Sequence, residues 1–171
     1  MDYTRLNPFI RSVSLYEKIN RTEECIGYDC RTIYIVSGEL TAVVGGEKLG
    51  HLAPGNLLYI PAGVPYKLKS KYLRAVVVTF DPYDEESEPT DRLSPVLSSE
   101  FDEAKCHKKG VEGLLERHIL LPDMESERDN FIRMANIFTS AEGHYRAQLS
   151  AMFKLMLLKV IETADKNALP A

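Results

Sequence analysis

Between residues 28 and 80, short apolar runs alternate with turn signals at a spacing that fits compact β-structure. Residues 32–36 (TIYIV) are β-branched and aromatic, and Ser37-Gly38-Glu39 interrupts them. A second run, 40–44, closes on Gly45-Gly46, the two-residue glycine turn of a hairpin. Residues 48–52 and 57–60, bounded by Pro54-Gly55 and Pro61-Ala62-Gly63, predict two further strands, and 72–80 (YLRAVVVTF) a longer one. Short strands at such regular intervals indicate a sandwich or a small barrel.

Outside this stretch the pattern is less regular. Residues 1–9 have no strong period, and Pro8 bars a regular helix through them. Residues 10–19 predict a strand with apolar residues at Val13, Leu15 and Ile19, whereas 21–27 are polar and predict a loop. The segment 81–95 is acidic and broken by three prolines, as in an exposed connection. Residues 117–121 (RHILL) predict a last strand, stopped by Pro122.

Two helices follow in the pattern. Asp123 is placed to cap the first, whose Phe131, Met134, Ile137 and Phe138 recur at helical spacing. Thr139 and Glu142 have the spacing of a capping box for the second, 141–164. Leu149, Met152, Met156 and Val160 form one stripe on it, and Phe153, Leu157 and Ile161 an adjacent one. Two stripes call for two partners: the chain's own β-region and the same helix of a second copy. The alternative is a helix wholly buried in a larger monomer core. The division expected is a barrel with an N-terminal arm over 1–122 and a helical dimerisation region over 123–171.

A length of 171 residues suits one domain with an appended layer, and 44% hydrophobic with 27% charged residues is the balance of a folded globular chain. The net charge of -4 excludes a broad basic surface, so nucleic acid is not an expected direct partner. The N-terminus lacks the charged and apolar regions of a signal peptide, and no apolar run approaches the roughly 18 residues that span a bilayer, so a cytoplasmic protein without membrane contact is expected. Cys25, Cys30 and Cys106 are odd in number and contain no Cys-x-x-Cys pair, which predicts reduced, inert thiols.

Residues 55–66 (GNLLYIPAGVPY) resemble the second cupin motif, in which a metal-binding histidine would stand at Tyr66. In the first cupin motif the carboxylate ligand would stand at Arg31, and its two histidines near Glu24 and Ile26 or Cys25 and Gly27. The turn-forming framework is present and the ligand set is not, so no metal or other cofactor is expected. His51, His107, His118 and His144 lie apart without ligand spacing.

A metal-free barrel of this kind followed by a helical pair resembles the N-terminal effector-binding and dimerisation domain of AraC-type transcription regulators. The resemblance spans most of the chain: residues 33–68, the strand ending Thr79-Phe80-Asp81-Pro82, and the helix around Gly143-His144-Tyr145-Arg146. It implies a mostly β fold with C-terminal helices: a cupin-like jelly-roll barrel and a two-helix dimerisation layer. It also implies a small polar effector, a sugar or related metabolite, bound in the lumen. DNA would be bound only through a following helix-turn-helix region, which this sequence does not contain, so a fragment of a longer regulator is expected.

The ligand-binding residues expected from strand alternation and this resemblance are Arg31, Ile33, Tyr59, Tyr66, Leu68 and Val77. An inward arginine and tyrosine require a partner, whether ligand, water or internal carboxylate. The dimer interface is expected at Leu149, Met152, Met156 and Val160. Two other readings stand beside this one. The first is a stand-alone cupin enzyme, such as a metal-independent sugar isomerase or epimerase with Tyr66 as acid; the second is a dimerisation module with a filled barrel.

Overall fold

The computed structural model describes residues 3–83, 94–107 and 111–168. Eight strands are present among them: β1 (Phe9–Tyr16), β2 (Asn20–Ile26), β3 (Cys30–Val44), β4 (Glu47–Leu52), β5 (Leu57–Ile60), β6 (Pro65–Asp81), β7 (Val96–Leu97) and β8 (Ile119–Leu121). Helices α1 (Arg128–Ser140) and α2 (Tyr145–Ala168) follow.

The two long strands organise everything else. The first half of β3 pairs with β5 on one side and the second half of β6 on the other; its second half pairs with β4 and the first half of β6. The second half of β6 also holds β1, and its first half holds β2, which carries β7. β8 extends the β5 edge. Two antiparallel sheets therefore share two bent strands and face one another across an apolar lumen. This is a cupin-like jelly-roll barrel with C-terminal helices.

The expected break at Ser37-Gly38-Glu39 is a bend rather than an end: β3 runs through it with register shifts at Ile35/Ser37 and Gly38/Leu40. Gly38 has φ +82°, and a Cβ there would lie 2.1 Å from the Tyr72 carbonyl oxygen. The corner thus needs both the left-handed backbone and the absent side chain. Gly38→Ala is expected to lower the unfolding free energy by about 2–3 kcal/mol. An unchanged urea midpoint would contradict this account of the corner.

Burial follows the two halves of each long strand. In β6 the first half alternates, with Tyr66, Leu68 and Ser70 inside and Lys67 and Lys69 exposed; the second half, from Ala75 to Asp81, is buried on both faces. One sheet has solvent behind it, and the other has the helices. The lumen core includes Ile33, Ile35, Leu40, Leu58, Ile60, Leu68, Ala75 and Val77. The second core lies between Tyr34, Tyr59, Val76, Val78 and Phe80 on the sheet and Phe131, Leu149, Phe153 and Leu157 on the helices. Tyr34 stacks on Phe131 with centroids 4.5 Å apart, and Phe80 meets Phe153 edge-on at 4.6 Å.

Several local expectations change. Residues 21–27, read as a loop from their polarity, form most of β2, whose polar residues Asn20 to Glu24 are all exposed. Asp123 does not cap α1, which follows a short 3-10 turn, Glu125–Glu127. The Thr139 hydroxyl donates back to the Ala135 carbonyl at 2.9 Å, so it forms no capping box. The segment 84–93 of the expected acidic connection lies outside the described residues.

The dimer seam is corrected most. Leu149, Met156 and Val160 are buried in their own chain together with Phe153, Leu157 and Ile161, so the two stripes form one broad face on the barrel. They have no surface left for a second copy, and of the expected set Met152 alone is half-exposed. The exposed large apolar residue of α2 is Leu155, at 73%. Because both helices share a core with the outer face of the sheet, they cover the barrel rather than stand apart from it.

Candidate functional site

Strand alternation puts Arg31 and Ile33 on the lumen face of β3. Their register partners Val77 and Thr79 on β6 point the same way, as do Tyr66 and Leu68 from its first half. These six side chains border one cavity of about 80 Å³, which Ser12 from β1 and Arg21 from β2 also line. Five of the six residues expected from the sequence are thus brought together.

Tyr59 is not among them. It pairs with Thr32, one residue out of phase with Arg31, so it faces the helices. Its hydroxyl donates to the Leu115 carbonyl at 2.9 Å. A one-residue difference in phase moves a strand side chain to the opposite face.

Arg31 is the centre of the site. It is 7% exposed, and its guanidinium donates from Nη1 to the Tyr66 hydroxyl at 2.9 Å and from Nη2 to Asp29 Oδ1 at 2.8 Å. The Tyr66 ring centroid lies 5.4 Å from Cζ. Arg31 Nε and Asp29 Oδ2 have no hydrogen-bond partner among the described residues. On the other side, a Cβ at Gly27 would lie 2.5 Å from Nη2, so the guanidinium packs directly on that glycine backbone.

A partner for the inward arginine is expected, and it is the internal carboxylate of Asp29. Sequence reading passes over it, although Asp29, in the bend just before β3, stands two residues from Arg31, the spacing that directs both to one side. Burial pushes the Asp29 carboxyl above its ordinary range, against the pull of Arg31. Burial likewise pushes the Tyr66 phenol up, so it stays protonated at neutral pH. It accepts from Arg31 and keeps its own proton, with Cys25 as near neighbour.

A second polar group lies behind the first. Arg11, fully buried at a bulge in β1, pairs with Asp81 at the end of β6. His107 Nδ1 reaches both, at 3.2 Å from each, and its backbone N–H donates to the Tyr28 carbonyl at 2.8 Å. Ser12 and Thr79 join their hydroxyls at 2.6 Å between this group and the cavity. None of Arg11, Asp81 and His107 stands out as a site residue in the sequence, because partners 70 and 96 residues apart leave no local spacing to read.

No family model and no curated protein sequence matches the chain. Among solved structures, oxalate decarboxylase from Bacillus subtilis is similar at 15% identity over 56% of this chain and 25% of that one, with a TM-score of 0.37. Pumpkin seed globulin is similar at 13% identity over 50% and 27%, TM-score 0.38. A conserved protein of unknown function from Streptococcus pyogenes is similar at 17% identity over 48% and 70%, TM-score 0.36. The chain spans about a quarter of the length of the first two.

The residues at the cupin metal positions do not fit a divalent cation. Arg31 puts a guanidinium where a carboxylate ligand would stand, and that charge repels a metal ion. Tyr66, at the histidine position, is a protonated phenol bonded to it. Among the described residues no three His, Cys, Asp or Glu side chains converge as ligands. His51 and His118 instead pair with Glu39 and Glu47.

The thiols differ in access. Cys30 is fully buried beside the Tyr59 hydroxyl, and burial pushes it up to about 12. Cys25 is also buried and raised, its Sγ directed at the Tyr66 carbonyl. Cys106 is half-buried. In the folded chain iodoacetamide should therefore label Cys106 and leave the other two until denaturant is added, as peptide mass mapping would read. Labelling of Cys30 at the rate of Cys106 would contradict the packing.

Proposed function

We propose that this chain is the ligand-sensing domain of an AraC-family transcription regulator, binding a small polar effector in a metal-free cupin-like barrel. The observation that carries this reading is Arg31: a buried cation on the lumen wall, bordering a cavity, with one donor left without a partner. A buried cation beside a cavity costs free energy, and a polar occupant that pairs with its guanidinium recovers part of that cost. The resemblance over the barrel and the following helix supplies the regulatory context: an active state set by effector, a cytoplasmic location, and DNA contacts made by a helix-turn-helix region of the full regulator.

Binding is favoured over catalysis. Tyr66, the acid of the isomerase alternative, has its pKa moved up and away from the neutral range where proton transfer is efficient. The nearest carboxylate, Asp29, is held in an ion pair to Arg31 rather than presented as a base.

Pairing of two copies belongs to the same proposal, but along the outward face of α2, where Leu155 is exposed beside the half-buried Met152 and Leu158. No described helix is long and apolar enough to cross a membrane.

A thermal-shift screen of polar metabolites tests the reading. A ligand at about 100 times its Kd adds about 2.7 kcal/mol to stability and raises Tm. The reading expects such a shift, without turnover of the ligand. No stabilising metabolite across sugars, polyols, acids and amines would overturn it, as would coding sequence after the Ala171 codon without a helix-turn-helix region.

A further inference from the structure

The cavity at Arg31 carries a charge pattern that selects among ligands. Of the described residues that line it, two are cations, Arg21 at the mouth and Arg31 on the wall, and none is acidic. Tyr66, Thr79 and Ser12 supply hydroxyls, while Ile33, Leu68 and Val77 supply an apolar surface.

The charges around it can be counted. Arg31 is offset by Asp29, and Arg11 behind it by Asp81. Arg21 is exposed and stands at the opening without a carboxylate within the cavity to offset it. Among the described lining residues the charged groups are therefore Arg21 and Arg31, while Glu23 and Glu100 border the neighbouring groove on the other side of Arg21.

We infer that the pocket takes a compact monoanion, a small carboxylic acid or the carboxylate end of a larger molecule, rather than a neutral sugar. The inference rests on the barrel being a ligand site and specifies which ligand chemistry it accepts. The carboxylate pairs with Arg21 and with the Arg31 guanidinium, both of which border the cavity. A short hydrocarbon portion lies against Ile33, Leu68 and Val77.

Size points the same way. A cavity of about 80 Å³ is roughly half of one that admits benzene, so it encloses a headgroup of about two to four carbons and leaves anything larger at the mouth. A dicarboxylate of that length would bring a second negative charge toward the buried Asp29. A polyol would leave the Arg21 charge unmatched.

The test uses this chain with acetate, propionate and butyrate, their primary amides, succinate, and glycerol with arabinose as neutral polyols. Binding is followed through the Arg Nε–H signals in a nitrogen-15 spectrum and by thermal shift at constant ionic strength. The monocarboxylates are expected to move the Arg31 Nε–H signal and to bind at least tenfold more tightly than their amides and than succinate.

Because Arg31 variants can lose fold stability, the companion variant is Arg21→Gln, at an exposed position. It should weaken carboxylate binding about tenfold and leave the amides unchanged. Amides binding as well as acids, or an Arg21→Gln affinity equal to wild type, would overturn the anion assignment. A polyol that binds at Arg31 while no monocarboxylate does would overturn it too, yet leave the barrel as a ligand site. Absence of binding by every compound here, with other metabolites active in the wider screen, overturns the anion class alone. Absence in both overturns the ligand site as well.

Discussion

Leu149→Glu should unfold the protomer, and Met156→Glu should come close to doing so. Both side chains lie against the barrel of their own chain, at 0% and 4% exposure. Replacing either removes buried apolar contacts worth about 2–5 kcal/mol. It also forces a carboxylate into a site with no polar partner, or forces that carboxylate to take up a proton at neutral pH. The sum, about 4 kcal/mol or more, is a large part of the 5–15 kcal/mol that keeps a typical domain folded.

The contrast is Leu155→Glu, on the outward face at 73% exposure, which should change stability by less than about 0.5 kcal/mol. If two copies pair along that face, it is this variant that dissociates them. Urea unfolding read by circular dichroism, with sedimentation alongside, separates the two effects. A folded, monomeric Leu149→Glu beside a dimeric wild type would return the seam to the face that the packing assigns to the barrel.

The two stripes of α2 mislead for a physical reason that the barrel's own sequence contains. Seven apolar residues on α2 are more than a narrow seam requires, but sheet-on-helix packing presents a broad, gently twisted surface that takes a wide stripe. The size of that surface is written in β6. In 66–70 apolar and charged residues alternate, whereas 75–80 (AVVVTF) is uninterrupted, which marks a strand covered on both faces. The same contrast separates 30–36 from 40–44 in β3. Read together, these runs say that one sheet of the barrel needs an outer cover, and the helices supply it.

The lumen is easier to read. Arg31, Ile33, Tyr66, Leu68 and Val77 follow from alternation once one inward position is known, and the hairpin at Gly45-Gly46 starts the β3–β4 pairing at Val44↔Glu47, with a register shift at Ala42/Val43. Tyr59 departs from the expectation because the phase of a four-residue strand depends on its pairing, here Thr32↔Tyr59, and not on its own pattern. Asp29 is legible only once the inward face of β3 is weighed as a place for a carboxylate. Arg11 and His107 reach the network from distant segments that only the closed barrel brings together.

The ion pair at the centre of the lumen gives the other large effect. Arg31→Ala removes the cation from a carboxylate that has 0% exposure, and loss of one partner from a buried pair typically costs about 3–5 kcal/mol. The cost comes from the buried charge that remains unpaired, more than from the hydrogen bond itself. Adding Asp29→Asn to Arg31→Ala should therefore restore much of the stability, because it removes the unpaired charge and leaves a neutral amide.

The pH dependence has a definite sign. Burial raises the native Asp29 carboxyl above the 3.8 of the unfolded chain. Between that value and the native one, the folded chain binds more protons than the unfolded chain, so this group makes stability fall as pH rises. Arg31 pulls the native value down, and its removal lets the value climb, widening the window and deepening the loss at its upper end. Arg31→Ala should thus lie far below wild type in denaturant midpoint at pH 7.5 and close much of the gap at pH 4.5, where a protonated Asp29 needs no cation. In the Asp29→Asn background the Arg31→Ala deficit should be the same at both pH values. A deficit in the single variant that does not shrink on acidification, or a double variant no more stable than Arg31→Ala alone, would mean that Asp29 is not the group that Arg31 keeps ionised.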